Sequence, residues 1–302
     1  VHAVHRAQVV HLDESAVDAQ IFHLVEARPH ADAGVGQQVI QPAEALHRFA
    51  QRRHGRLGEE EPGGGPHRLE RPAPPEGDHR APAGLRLERG DEAAVLEMGM
   101  SEPGEIARLT EIANPDVGVV TNVGPVHLEG CGDLAGVAAA KGELFTGMRA
   151  DATVAVNLDD GWVVKIAAGF PGRRINFGRR GEVRPGAVAD FGLDGVAFDL
   201  DVAGRTTKVR LRLPGLHNVT NALAAAAVTH ATGIDVETIR AGLEALVAPP
   251  KRMQVVRLAN GMTLLNDSYN ANPANVAAAI EVLTRQSGRA VAVLGEMREL
   301  GP

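Results

Sequence analysis

A single cysteine, Cys131, excludes a disulfide framework and points to a reducing compartment. No uninterrupted apolar run reaches the roughly 18 residues of a membrane span, and the start lacks the basic and then apolar stretches of a secretory signal. Positive charge is not in excess: 31 Lys and Arg stand against 38 Asp and Glu, a net charge of −7. Such a surface offers nothing to a nucleic acid or an anionic membrane. A soluble, cytoplasmic protein is expected, with no nucleic-acid partner and no membrane insertion.

Other absences divide the chain. Residues 1–84 contain no Lys, Asn, Thr, Met, Tyr, Trp or Cys, and only Ser15 among serines, yet they hold nine of the 12 histidines. Ala43, Leu46 and Phe49 have helical spacing, but residues 58–84 are too rich in Pro, Gly and charge for a packed element. Residues 1–84 are therefore left unassigned, as disorder or an out-of-frame stretch. The other reading is a separate module with a metal cluster of His2, His5 and His11, which no regular element spacing supports.

From Leu85 the pattern is α/β. Ala93 to Met98 and Val117 to Thr121 read as buried strands around a helix at 104–113, an alternation that predicts a parallel sheet. A helix over 134–148 begins after Asp133 as a candidate N-cap, and a strand over 152–156 follows. A hairpin within 195–213 predicts an antiparallel extension, and two helices cover 216–232 and 235–247. Pro249-Pro250 marks a boundary, so residues 85–248 and 249–302 are expected as two domains. The second holds a hairpin around Asn260-Gly261, a helix over 274–286 and a strand over 290–294. One hairpin, one helix and one strand cannot cover both faces of a parallel sheet, so this domain reads as truncated.

Polar residues at strand exits and helix starts are the candidates for chemistry, because α/β proteins build their sites there. Glu97 ends an apolar strand, where a carboxylate can hold Mg²⁺, or simply cap or face solvent. His127 lies in the loop TNVGPVHLEG after the next strand, at the same sheet edge. Lys141, one of four lysines, sits in an apolar helix: it is a candidate for nucleophilic chemistry, including addition to CO₂, or a snorkelling side chain. Asn218 and Asn221 share one face of a helix start and offer amide groups suited to a purine edge or phosphate; capping explains one of them. The run Asn266-Asp267-Ser268-Tyr269-Asn270-Ala271-Asn272-Pro273 carries more polar groups than a turn requires.

Together the segments LEMGMSEPGEI, TNVGPVHLEGCGDLAGVAAAKGELF, LPGLHNVTNALAAAA, KRMQ, NDSYNANP and LGEMRELG, in this order from about residue 85 to 301, resemble the Mur ligases. The resemblance implies a central P-loop-NTPase-like domain with a mostly parallel sheet and the start of a Rossmann-like C-terminal domain. It implies ATP-dependent amide-bond formation through an acyl phosphate, with ATP and Mg²⁺ as cofactors, by a monomer. DSYNANP resembles the branch that joins D-alanyl-D-alanine to UDP-N-acetylmuramoyl-tripeptide in peptidoglycan synthesis. By the same resemblance Glu97 and His127 correspond to magnesium ligands, and Lys141 to a lysine that becomes an oxygen ligand when carbamylated, so that Lys141 and His127 carry catalysis. Asn218, Asn221, Arg252 and Asp267 correspond to nucleotide-binding residues, and Tyr269 and Asn270 to positions facing nucleotide and acceptor.

The sequence departs from the family pattern at Lys251, where glycine is usual, at Asn266 and Glu296, where aspartate is usual, and at the P-loop, which is absent. No lysine precedes Lys141, and Gly63 to Gly65 are followed by Pro66 with neither lysine nor hydroxyl. The alternatives are a sibling Mur ligase or folylpolyglutamate-type ligase, which differ in acceptor, and a noncatalytic fragment or binding protein.

Overall fold

The computed structural model describes residues 7–12 and 93–297. In chain order the first elements are β1 (Ala7–Leu12), β2 (Ala93–Glu97), α1 (Glu105–Ala113), β3 (Val117–Val120), α2 (Leu128–Cys131), α3 (Leu134–Gly147), β4 (Thr153–Asn157), α4 (Gly161–Ala167) and β5 (Arg173–Phe177). β6 (Val183–Asp190), β7 (Val196–Val202), β8 (Arg205–Leu211), α5 (His217–Ala231) and α6 (Val236–Ala245) complete the larger unit. β9 (Gln254–Arg257), β10 (Thr263–Asn266) and α7 (Pro273–Thr284) form the smaller one.

The large sheet has the order β2-β1-β3-β4-β5-β6-β7-β8. It is parallel from β2 to β6 and antiparallel from β6 to β8. Two hydrophobic layers follow from strand alternation. Val117 and Val119 of β3, Ala155 of β4, and Ile175 and Phe177 of β5 face α5 and α6. Val120 of β3 and Val154 and Val156 of β4 face the layer of α1, α3 and α4. In α5, Ala222, Ala224, Ala225, Ala226 and Ala227 are all buried, and their small side chains let the helix lie close to the sheet. Gly118 serves the opposite face, where a Cβ would stand 2.4 Å from Met148 Sδ. The helix termini are anchored as their sequences require: Asp133 Oδ1 accepts from Gly136 N at the start of α3, and Asp235 Oδ1 from Glu237 N and Thr238 N at the start of α6.

Most of the expected elements from residue 93 onward form. The predicted strand over 290–294 does not. Among the described residues no strand pairs with it: β9 and β10 bond only to each other, and Val291, Val293 and Leu294 are 63%, 93% and 60% exposed. A strand has no hydrogen-bond ladder of its own, so an apolar β-branched run that pairs with no neighbour stays irregular. The second difference concerns residues 1–84, which composition left without a packed element. Ala7–Leu12 forms β1, held between β2 and β3, with His11 opposite both Glu97 and Val119. His2, His5 and the helical spacing of residues 43–53 lie outside the described residues. Among the described residues no helix is long and apolar enough to cross a membrane.

The smaller unit meets the larger one through Arg285–Asp190 at 2.6 Å and Arg257–Asp194 at 2.9 Å. Glu281 of α7 also stands near His217, whose burial disfavours its charged form. Because Leu144 and Phe177 are fully buried in opposite layers, Leu144→Ala and Phe177→Ala should each cost about 3 kcal/mol. Their losses should add within about 0.5 kcal/mol in the double variant, as measured by urea denaturation.

Candidate functional site

The order β2-β1-β3 makes the C-terminal end of β1 a topological switch point, because the chain leaves β1 to one side and later returns to the other. A crevice forms where such connections diverge, and ligands of α/β sheets bind there. Glu97 is the last residue of β2, and the loop after β3 leaves the same edge at Thr121. Glu97 and the loop that carries His127 therefore leave the sheet from the two strands on either side of β1. The residues following β1 in sequence, Asp13-Glu14-Ser15-Ala16, supply no glycine or lysine for phosphate.

Lys141 joins this edge from α3. The residue is 3% exposed, and its Nζ donates to the carbonyl of Asn122 at 3.1 Å. It is therefore directed to the loop, and the snorkelling alternative does not hold. His127 is the N-cap of the short α2 in a left-handed conformation (φ 54°), and its carbonyl accepts from Cys131 N. It lies close enough to Glu105 to help hold that carboxyl below its ordinary value, an effect dominated by the Ser101 and Glu102 backbone N–H groups. Glu143, two residues beyond Lys141, is engaged elsewhere, since its two oxygens accept from Gly104 N and Ala107 N at the start of α1.

Asn218 and Asn221 are buried on one face of α5, as their spacing predicts. Asn218 Nδ2 donates to Pro214 O at 2.8 Å and Asn221 Nδ2 to Asn218 Oδ1 at 3.4 Å, so local bonding engages both residues.

The third group lies in the smaller unit. Met253 N donates to Asp267 Oδ1 at 2.8 Å, and Tyr269 N donates to Lys251 O at 3.0 Å. The guanidinium of buried Arg252 lies over the Tyr269 ring, 3.9 Å from its centroid. These contacts zip residues 251–253 to 267–269 and hold Lys251 (φ 67°) and Met253 (φ 48°) in the left-handed region. Glycine adopts that region without cost, which is a physical reason for the family's preference at position 251. Within NDSYNANP, Asn266 Oδ1 accepts from Ser268, and Asn272 Oδ1 caps α7 by accepting from Asn275 N with Pro273 next in line. Asn270 Oδ1 accepts from Ala271 N. Turn and cap formation thus account for part of this polar run, and the Tyr269 ring remains exposed.

Asn157 and Asp160 are not among the residues that sequence reasoning singles out, although both bond to the Thr121–Val123 backbone. The signal for them is Asn157-Leu158-Asp159-Asp160 at the end of a buried strand and the start of a helix. Of the residues at this edge, Glu97 offers carboxylate oxygens to a hard cation. Among the described residues no group of three or more His, Cys, Asp or Glu is gathered so that it could hold a metal ion, whereas Mg²⁺ usually keeps several waters and needs only one or two protein carboxylates.

The sequence matches the Mur ligase middle domain over residues 83–229 and the Mur ligase glutamate ligase domain over residues 251–302. It is 38% identical over 225 residues to the UDP-N-acetylmuramoyl-tripeptide–D-alanyl-D-alanine ligase of Escherichia coli K12, covering 72% of this chain and 49% of that protein. The chain thus spans about half the length of the curated relatives it matches. A crystal structure of MurF from Acinetobacter baumannii superposes with a TM-score of 0.67 at 31% identity, over 71% of this chain and 47% of that one. MurF ligase from Thermotoga maritima in complex with ADP gives 0.64 at 30% identity, over 71% and 49%.

Burial pushes the Asp267 carboxyl above its ordinary value of 3.8, against the opposing pull of Met253 N–H and Arg252. A raised carboxyl makes the folded state bind its proton more tightly, so this stabilisation is present at low pH and lost as pH rises through the folded value. Asp267→Asn keeps an acceptor for Met253 N–H. It should therefore be more stable than the parent protein at pH 7, with the difference shrinking as pH falls toward 4, as measured by thermal unfolding across that range.

Proposed function

This chain belongs to the Mur ligase family, and on that premise we propose that it carries the nucleotide- and metal-binding part of a cytoplasmic ligase that adds D-alanyl-D-alanine to UDP-N-acetylmuramoyl-tripeptide, acting as a monomer. The reaction has two steps. The terminal carboxylate of the tripeptide takes the γ-phosphoryl group of ATP, releasing ADP, and the amine of D-alanyl-D-alanine then attacks the acyl phosphate and displaces phosphate. The observation that supports this reading is that Glu97, as the last residue of β2, and the loop after β3 leave the same C-terminal edge of the parallel sheet, and that Lys141 Nζ donates to Asn122 O in that loop.

The first step brings two anions together, so catalysis rests on positioning and charge. Glu97, His127 and Lys141, the last as a carbamate, would hold Mg²⁺, whose positive charge offsets that repulsion when it is bound. Asn218 and Asn221 serve the adenine end of the nucleotide and Asp267 its ribose. Arg252, whose guanidinium carbon lies 3.9 Å from the Tyr269 ring centroid, presents guanidinium N–H groups to phosphate. Tyr269 and Asn270 face nucleotide and acceptor. Supporting the acceptor assignment is the DSYNANP segment, residues 267–273. With no P-loop lysine before Lys141, the phosphate contacts fall on fewer groups and turnover by this chain is expected to be slow.

The test is a mass-spectrometric coupling assay with ATP, Mg²⁺, UDP-N-acetylmuramoyl-tripeptide and competing acceptors. The expected product is the pentapeptide from D-alanyl-D-alanine, with no adduct from free glutamate or diaminopimelate. Adducts with free amino acids would assign a sibling activity, and ADP binding without any product would reduce the chain to a binding protein. Arg252→Lys, which loses the planar stack and the paired donors, should weaken ADP binding roughly tenfold by calorimetry.

A further inference from the structure

The sheet ladder ends at Val120, yet the next three residues are each held by a side chain from another element. Thr121 O accepts from Asn157 Nδ2 at 2.7 Å, Asn122 O from Lys141 Nζ at 3.1 Å, and Val123 N donates to Asp160 Oδ2 at 2.9 Å. We propose that Asn157 and Asp160 are positioning residues of the ligation site, which fix the Thr121–Val123 backbone and through it hold Lys141 at the sheet edge.

Each of the two side chains is divided between its own turn and the loop. Asn157 Oδ1 accepts from Asp159 N while its amide nitrogen reaches Thr121 O. Asp160 Oδ1 caps α4 by accepting from Trp162 N and Val163 N, and the second oxygen is given to Val123 N. Capping needs one oxygen, so the Val123 bond is additional to it. Register explains why these two residues do this: Val156 pairs with Val120, so Asn157 stands beside Thr121 at the point where the ladder stops. Asn157 and Thr121 are both buried, at 3% and 2% exposure, where an unpaired peptide group is costly. The Asn122 carbonyl lies between the two fixed points and meets Lys141 Nζ. Freed from either brace, the carbonyl shifts and the ammonium group turns toward water.

The catalytic importance of this brace rests on the ligase reading above, but its geometry is testable without turnover. In the full 302-residue chain, acetylation rates at Lys141, Lys165, Lys208 and Lys251 can be followed by peptide mass spectrometry. Lys141 should be the slowest of the four. Asn157→Asp keeps the acceptor for Asp159 N but loses the donor to Thr121 O. Asp160→Ser keeps a capping oxygen but loses the bond to Val123. Each should raise the Lys141 rate roughly tenfold relative to the other three lysines, the factor expected for losing one hydrogen bond to a charged group. Asp235→Ala, which removes the cap of α6, should lower thermal stability and leave the Lys141 ratio unchanged. An unchanged Lys141 ratio in both loop variants, or an equal rise in Asp235→Ala, would overturn the proposal. Failure of the coupling assay alone would leave it standing, so the two readings fail separately.

Discussion

Peptide groups leaving a parallel strand lose their ladder partners at once, and in a buried sheet edge they must find others. That constraint shapes the candidate site. β3 stops at Val120, and Asn157, Lys141 and Asp160 take over the hydrogen bonding of Thr121, Asn122 and Val123 in turn. The loop toward His127 starts from a fixed backbone as a result. Glu97 approaches the same edge from β2, across β1. A strand exit that would otherwise be a set of orphan peptide groups becomes a fixed backbone at the candidate site.

The smaller unit solves a different problem, that of holding a turn in conformations side chains resist. Lys251 and Met253 have positive φ, and each such residue costs about 1–2 kcal/mol. Two backbone-directed hydrogen bonds and the Arg252–Tyr269 stack oppose that cost. The outcome is an arginine packed on an aromatic ring near an aspartate whose ionisation is disfavoured by burial, a local tension of the kind that functional sites retain.

Much of the fold was legible because it depends on local pattern. Val-rich runs mark β3 and β4, the Asn260-Gly261 turn marks the β9–β10 hairpin, and the acid before Leu134 marks the start of α3. Pattern failed where pairing decides. Residues 290–294 have the composition of a strand but pair with no strand among the described residues. Ala7–Leu12 lies in a stretch of aberrant composition, yet it joins two edges. β5 begins with Arg173-Arg174, and Pro185 and Gly186 interrupt β6, so neither reads as a strand. At the site, Lys141 and the asparagine pair were visible as polar residues in apolar helices. Asn157 and Asp160 were not, because a buried strand-end asparagine and a helix-capping aspartate look the same whether or not they also brace a neighbouring loop.

The proposed chemistry requires a metal–nucleotide site at the C-terminal sheet edge. Paramagnetic broadening of backbone amide signals by Mn²⁺ with ADP reads that location directly. Signals from Glu97 and from Thr121 to His127 should broaden first, while those of Asp116 and Asp151, which precede β3 and β4 at the other end of the sheet, should stay sharp. Broadening centred on the opposite edge, or spread evenly over the chain, would contradict that location.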